Sequence, residues 1–155
     1  MYYTIPLMKI KLICISDSDK HFASAVEEYC KRLWKDVEIF SLKPERNGSR
    51  DQIIAKETEK IIEKLSTIKD SYTILLAKEG KQISTESLVD LVAKHNSLVF
   101  VIWWPYGIDH PTLEKHIHQK IAFGEMTMPH WLAKLVILEQ VYRVKMIGEG
   151  REYHY

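Results

Sequence analysis

The chain has 155 residues, enough for one domain, 1–155, that buries roughly two-thirds of its unfolded surface without staples. Lys and Arg number 22 against 21 Asp and Glu, so a net charge of +1 argues against binding naked nucleic acid through a global field, and any RNA contact must come from local patches. With only Cys14 and Cys30, no CxxC spacing and no apolar run near the ~20 residues of a spanning helix, the composition argues against a disulfide framework, a zinc site and a membrane segment, and fits a soluble cytoplasmic protein.

The opening MYYTIPLM lacks the charged start, apolar core and cleavage site of a secretory signal. Residues 8–15, MKIKLICI, alternate and then become continuously apolar, which predicts a strand entering a buried sheet. A helix follows over about 19–33, with Phe22, Val26, Tyr29 and Leu33 on one face. A second strand spans 37–42, a polar loop 44–50, and a helix about 51–65, whose apolar face carries Ile54, Ile61, Ile62 and Leu65.

Residues 72–76 predict a short strand covered on both faces, running into a turn at 77–81. Ser84 is placed to cap a helix carrying Leu88, Leu91 and Val92, and a fourth strand covers 98–102. A loop at 103–107, a helix over about 111–119 and a strand at 120–123 complete the alternation. Gly124 then lets the backbone turn, Pro129 suits the first turn of a helix, and from Leu132 the residues Leu135, Val136, Leu138 and Val141 recur at helical spacing.

Strands alternating with helices predict the α/β class: a mainly parallel sheet of five or six strands with helices on both sides. Ligands in such sheets collect at the C-terminal ends of strands, here the loops after Leu76, at 103–107 and at 124–129. The Lys78-Glu79-Gly80-Lys81 run lacks a full phosphate-binding glycine pattern and reads as an exposed turn. His116 and His118 lie two apart on a predicted helix and point in different directions without a third ligand, so no metal is assigned. His130, just inside the last helix, is open to two roles: a general base, or a capping and packing residue.

The run MTMPHWLAKLVILEQVYR, followed by Glu152-Tyr153-His154-Tyr155, resembles the C-terminal signature of the RlmH-type (YbeA-like) SPOUT methyltransferases, and the likeness extends from Met8 to Tyr155. Met8 would serve as a start in that family, leaving 1–7 as a short extension. The resemblance implies transfer of a methyl group from S-adenosylmethionine to N3 of a pseudouridine in large-subunit ribosomal RNA, in the assembled ribosome, by a homodimer. It also implies a sheet whose C-terminal part threads a trefoil knot, which periodicity alone never justifies. Motif by motif, the donor contacts fall on Leu76, Trp104, Gly124, Glu125, Met126, Thr127, Met128 and Pro129. In the same way Arg143, Tyr153 and His154 become RNA contacts, with Arg143 and His154 as catalytic groups that position the base or handle its proton.

At one place the chain departs from that pattern. The family has Gly-Gly before the proline of the fourth-strand loop, where this chain has Trp103-Trp104, and two indoles should obstruct a donor site that glycine leaves open. One reading is a protein that binds RNA or ribosomes and has lost methyl transfer; a related SPOUT enzyme with another RNA target is a further alternative. The other reading of Trp103-Trp104 is a genetic code in which UGA specifies glycine. The 6 glycines make about 4 per cent of the chain, against the usual ~7. Trp131 fits the same idea, since a small or polar residue there would resemble the family more closely, whereas Trp34 is uninformative.

Overall fold

A computed structural model describes residue 5 and residues 8–16, 20, 22–103 and 106–153. Its elements alternate as β1 (Ile10–Ile15), α1 (Ala23–Leu33), β2 (Val37–Leu42), α2 (Arg50–Ser66), β3 (Tyr72–Gln82), α3 (Thr85–Lys94), β4 (Leu98–Ile102), α4 (His110–Glu114), β5 (Gln119–Ala122) and α5 (His130–Gly148), with a 3-10 turn at Trp34–Asp36. The five strands form one sheet in the order β2-β1-β4-β3-β5, with every pairing parallel. The predicted α/β class holds, with five strands.

The apolar runs explain the layering. Successive strand residues point to opposite faces, so Ile10, Leu12 and Cys14 of β1 join Leu33, Leu88, Val92, Ile137 and Val141 on one side. Ile13 and Ile15 join Ile61, Leu65 and Leu113 on the other. Helices α1, α3 and α5 therefore cover one face and α2 and α4 the other, which is why β4 is buried at all five positions. Phe100 at its centre is fully enclosed, a burial worth about 1.5–3 kcal/mol. On the first face α5 packs against both α1 and α3.

Helix starts follow local chemistry. Ser49 and Gln52 close a reciprocal capping box at α2, and the Ser84 hydroxyl accepts from the Ser87 amide at α3 as its sequence position predicts, each cap contributing about 1 kcal/mol. Asp109 accepts from the Thr112 amide at α4.

Four expectations are corrected. Helix α1 starts at Ala23, not near residue 19. Pro129 precedes the last helix as its cap, with an extended ψ of 151°, and His130 is the first helical residue. Helix α4 stops at Glu114, short of residue 119, because His118 is drawn onto β3: its amide donates to the Thr73 carbonyl, and its Nδ1 accepts from the Thr73 amide at 2.9 Å. The expected turn at 77–81 belongs to β3. Leu76 and Lys81 both register with Ile121 of β5, so residues 77–80 bulge between two points facing the same neighbour. Gly80 makes this possible, since a Cβ there would fall 2.5 Å from the Ile121 carbonyl carbon.

Candidate functional site

The C-terminal ends of β4 and β5, the bulge of β3 and the start of α5 enclose a cavity of about 370 Å³, within the range of small-molecule sites. Leu76 and Ala77 enter from β3, Ile102 and Trp103 from the end of β4, and Ile121, Ala122 and Phe123 from β5. The hinge supplies Gly124, Met126, Thr127, Met128 and Pro129, and the first turn of α5 supplies His130 and Ala133. These walls are largely apolar, so they suit the body of a small ligand. Polar groups are few: the Thr127 hydroxyl, the His130 imidazole, and the exposed Lys78 and Glu79 at the edge. A helix start adds amides that lack internal partners.

Trp103 leans across this site. Its Nε1 donates to the Leu76 carbonyl at 2.8 Å, and its ring meets His110 edge-on at 6.0 Å. The acceptor at the end of the regular part of β3 is therefore engaged by an indole rather than left for a ligand.

Of the residues singled out in the sequence, Leu76, Gly124, Met126, Thr127, Met128 and Pro129 are brought together around the cavity. Glu125 is exposed and does not line it, and Trp104 lies outside the described residues. Sequence reasoning missed Ile102, Phe123 and Ala133, and it read Lys78 and Glu79 as an exposed turn although they follow Leu76 in one of the flagged loops. The usable signal was position: each of these five lies within four residues of one of the three flagged loops.

The tail residues gather elsewhere. Arg143 donates from Nε and Nη2 to Glu139 Oε1 at 3.1 and 2.6 Å, and from Nη1 to the Tyr153 carbonyl at 3.3 Å. The hydrogen bond to Glu139 holds its guanidinium pKa above the ordinary value. That guanidinium lies 4.9 Å over the Tyr153 ring, Tyr142 meets Tyr153 edge-on at 4.9 Å, and Arg32 of α1 lies 5.4 Å over Tyr142. From His130 to Arg143 the helix rises about 20 Å at 1.5 Å per residue. A single chain thus keeps this cationic and aromatic cluster apart from the cavity. His154 lies outside the described residues.

Burial, followed by the hydrogen bond with Tyr29, pushes the Tyr153 phenol up to about 12. It is therefore neutral near pH 7 and is no proton acceptor there. Because the folded value exceeds the unfolded one, packing of the tail gains stability that is present below about pH 10 and is lost as pH rises toward 12. Ultraviolet titration should show one tyrosine ionising late, and a Tyr153→Phe protein should lose that step; an unchanged titration would place the late step on another ring.

His118, once weighed as a metal ligand, stacks on Tyr72 at 4.8 Å and spends Nδ1 on the Thr73 amide. Among the described residues no group of three or more His, Cys, Asp or Glu is placed to hold a metal, and no helix is long and apolar enough to cross a membrane.

Residues 8–154 match the family model described as "Predicted SPOUT methyltransferase". The chain is 37% identical over 155 residues to the "Ribosomal RNA large subunit methyltransferase H" of Mycoplasma capricolum, covering 95% of this chain and 99% of that protein. The proteins of the same name from Streptococcus uberis and Streptococcus mutans are 34% and 36% identical over 161 residues, again covering 95% of this chain and 99% of each relative.

Proposed function

Since the chain belongs to the SPOUT methyltransferase family, we propose that it methylates N3 of a pseudouridine in large-subunit ribosomal RNA, with S-adenosylmethionine as donor. The observation that carries this reading is the convergence of Leu76, Gly124, Met126, Thr127, Met128 and Pro129 on one cavity at the strand ends, where the sequence match expects the donor. The cavity's walls fit such a donor: apolar side chains for its body and a backbone-rich hinge for its polar edges. Glu125 and Trp104 would complete the donor loops.

S-adenosylmethionine supplies an electrophilic methyl group on a sulfonium. The chain's own work is then positioning, which can account for most of the rate gain. The hinge and the start of α5 fix one side of the reaction, while Arg143 and Tyr153 offer a cation and a ring that hold a phosphate and stack on a base. N3 must lose its proton as the new N–C bond forms. His154 is the group assigned to accept it, directly or through water, since Tyr153 keeps its own proton.

This arrangement needs two copies. The Arg143 cluster lies about 20 Å along α5 from the cavity, and α5 carries half-buried Leu132, Leu135 and Val136 with no continuous polar face. Pairing through α5 would cover those side chains and let one protomer's tail approach its partner's cavity. Analytical ultracentrifugation should find a dimer at micromolar concentration, and a monomer there would sink the composite site. The same reading takes in the threaded C-terminal knot of the family and a substrate presented by the assembled large subunit in the cytoplasm.

One observation favours a second reading, an RNA-binding module that has lost methyl transfer: the Trp103 indole on the Leu76 carbonyl. Calorimetry with S-adenosylmethionine separates the two. Uptake by the chain as written supports the enzyme; uptake only by its Trp103→Gly, Trp104→Gly form shows that the indoles block the site, and no uptake by either supports the binding module. Nucleoside mass spectrometry of ribosomal RNA from a deletion strain tests the acceptor, and an unchanged N3-methylpseudouridine level would point to another RNA target.

A further inference from the structure

Trp34 is the residue that fits its backbone least. It closes α1 with φ of 48° and ψ of −113°. That lies near the first central position of a type II′ turn, at about +60° and −120°, which glycine dominates. Among the described residues only Trp34 and Asp70 combine a side chain with positive φ. Aspartate is one of the short polar residues that tolerate this region, whereas a bulky aromatic there is an outlier. The indole gains no packing in exchange, being 72% exposed.

The other described tryptophans are not core residues either. Tryptophan is on average a highly buried residue, yet none of the three is buried here. Trp103 only leans on the α2 side of the core from outside and spends its indole N–H on the Leu76 carbonyl at the cavity. Trp131 stands on the first turn of α5 and stacks at 4.8 Å on Phe22, itself 39% exposed. Trp104 adjoins Trp103 in the chain and lies outside the described residues.

We infer that positions 34, 103, 104 and 131 are glycine in the protein its own cell makes, each encoded by UGA, a codon that one variant genetic code reads as tryptophan and another as glycine. The single change answers three independent oddities. It gives position 34 the backbone freedom its φ requires, uncovers the Leu76 carbonyl and widens the cavity, and removes a partly exposed ring from the start of α5. Glycine then rises from 6 to 10 of 155 residues, about 6.5 per cent against the usual ~7. The statement about the cavity rests on the donor-site reading; the statement about position 34 does not.

The gene and the native protein decide the matter. Sequencing should find UGA at all four codons, and peptide mass spectrometry of the protein isolated from its own cells should find glycine at each; UGG codons, or tryptophan in those peptides, would overturn the inference. Two variants of the chain as written give a physical readout. Trp34→Gly should raise the unfolding midpoint by about 2–4 °C, the response of a domain of this size to relief of about 1 kcal/mol of backbone strain. Trp103→Gly, Trp104→Gly should bind S-adenosylmethionine at least about tenfold more tightly, as the loss of an obstructing side chain predicts. A Trp34→Gly protein no more stable than its parent counts against the inference. A stabilised Trp34→Gly protein alongside a double variant that takes up no donor supports the reassignment and overturns the donor-site reading instead.

Discussion

Deletion of residues 152–155 is expected to abolish methylation of ribosomal RNA and to leave the affinity for S-adenosylmethionine almost unchanged. The two halves of this expectation come from the same geometry. The cavity proposed for the donor is built from the ends of β3, β4 and β5 and the first turn of α5, whereas Tyr153 packs on Tyr142 and Arg143 about 20 Å along that helix. Neither Glu152 nor Tyr153 lines the cavity. The deletion removes the ring and the proton acceptor proposed for the substrate side, and a misplaced or missing positioning group costs on the order of a hundredfold in rate. Methyl transfer to isolated large subunits gives the first readout and calorimetry the second. Full activity in the truncated protein would take the tail out of the mechanism; loss of donor affinity would mean that it supports the cavity instead. Arg143→Lys refines the test, because lysine keeps the charge but cannot reproduce the forked bonds to Glu139 and the Tyr153 carbonyl.

The parts of this fold that were legible are those decided within a few residues. LVFVI in β4 reads as a strand covered on both faces because every side chain in it is apolar, and Ser84 reads as a cap because its hydroxyl needs only the amide three residues on. Longer-range approaches were not legible. Nothing in Ala77-Lys78-Glu79-Gly80-Lys81 distinguishes a solvent turn from a bulge that returns to the same neighbour, because Ile121, which decides it, lies about 40 residues away. His118 ends α4 for the same kind of reason, through a bond to Thr73 on another strand. The candidate site divides in the same way. The rule for parallel sheets locates the three loops, but the distance between Arg143 and the cavity depends on α5 staying one unbroken helix from His130 past Arg143. The backbone at Trp34 is a property of the folded turn alone.

Gly80→Ala is expected to damage both stability and donor binding, more than its single methyl group suggests. The new Cβ would stand 2.5, 2.6 and 2.7 Å from the carbonyl carbon, amide nitrogen and Cα of Ile121. All three are main-chain atoms of β5, so no rotamer change relieves the contact. Relief requires β5 to move away from Lys81 and Gln82, with which it is registered, and overpacking of this kind costs about 1–3 kcal/mol or more. For a chain of this size that lowers the unfolding midpoint by about 2–12 °C. The damage does not stay local, because Ile121, Ala122 and Phe123 are themselves cavity walls and lead directly into the hinge at Gly124. A shift of β5 therefore carries the hinge with it, and a displacement near 1 Å in a positioning element is enough to cost a hundredfold in activity. Gly124→Ala is the control: a Cβ there meets nothing within 4 Å, so stability should hold while any loss of donor affinity reports on the hinge itself. Thermal unfolding of Gly80→Ala indistinguishable from the parent would show that β5 yields freely, and the account of the bulge as the brace of the cavity would fall with it.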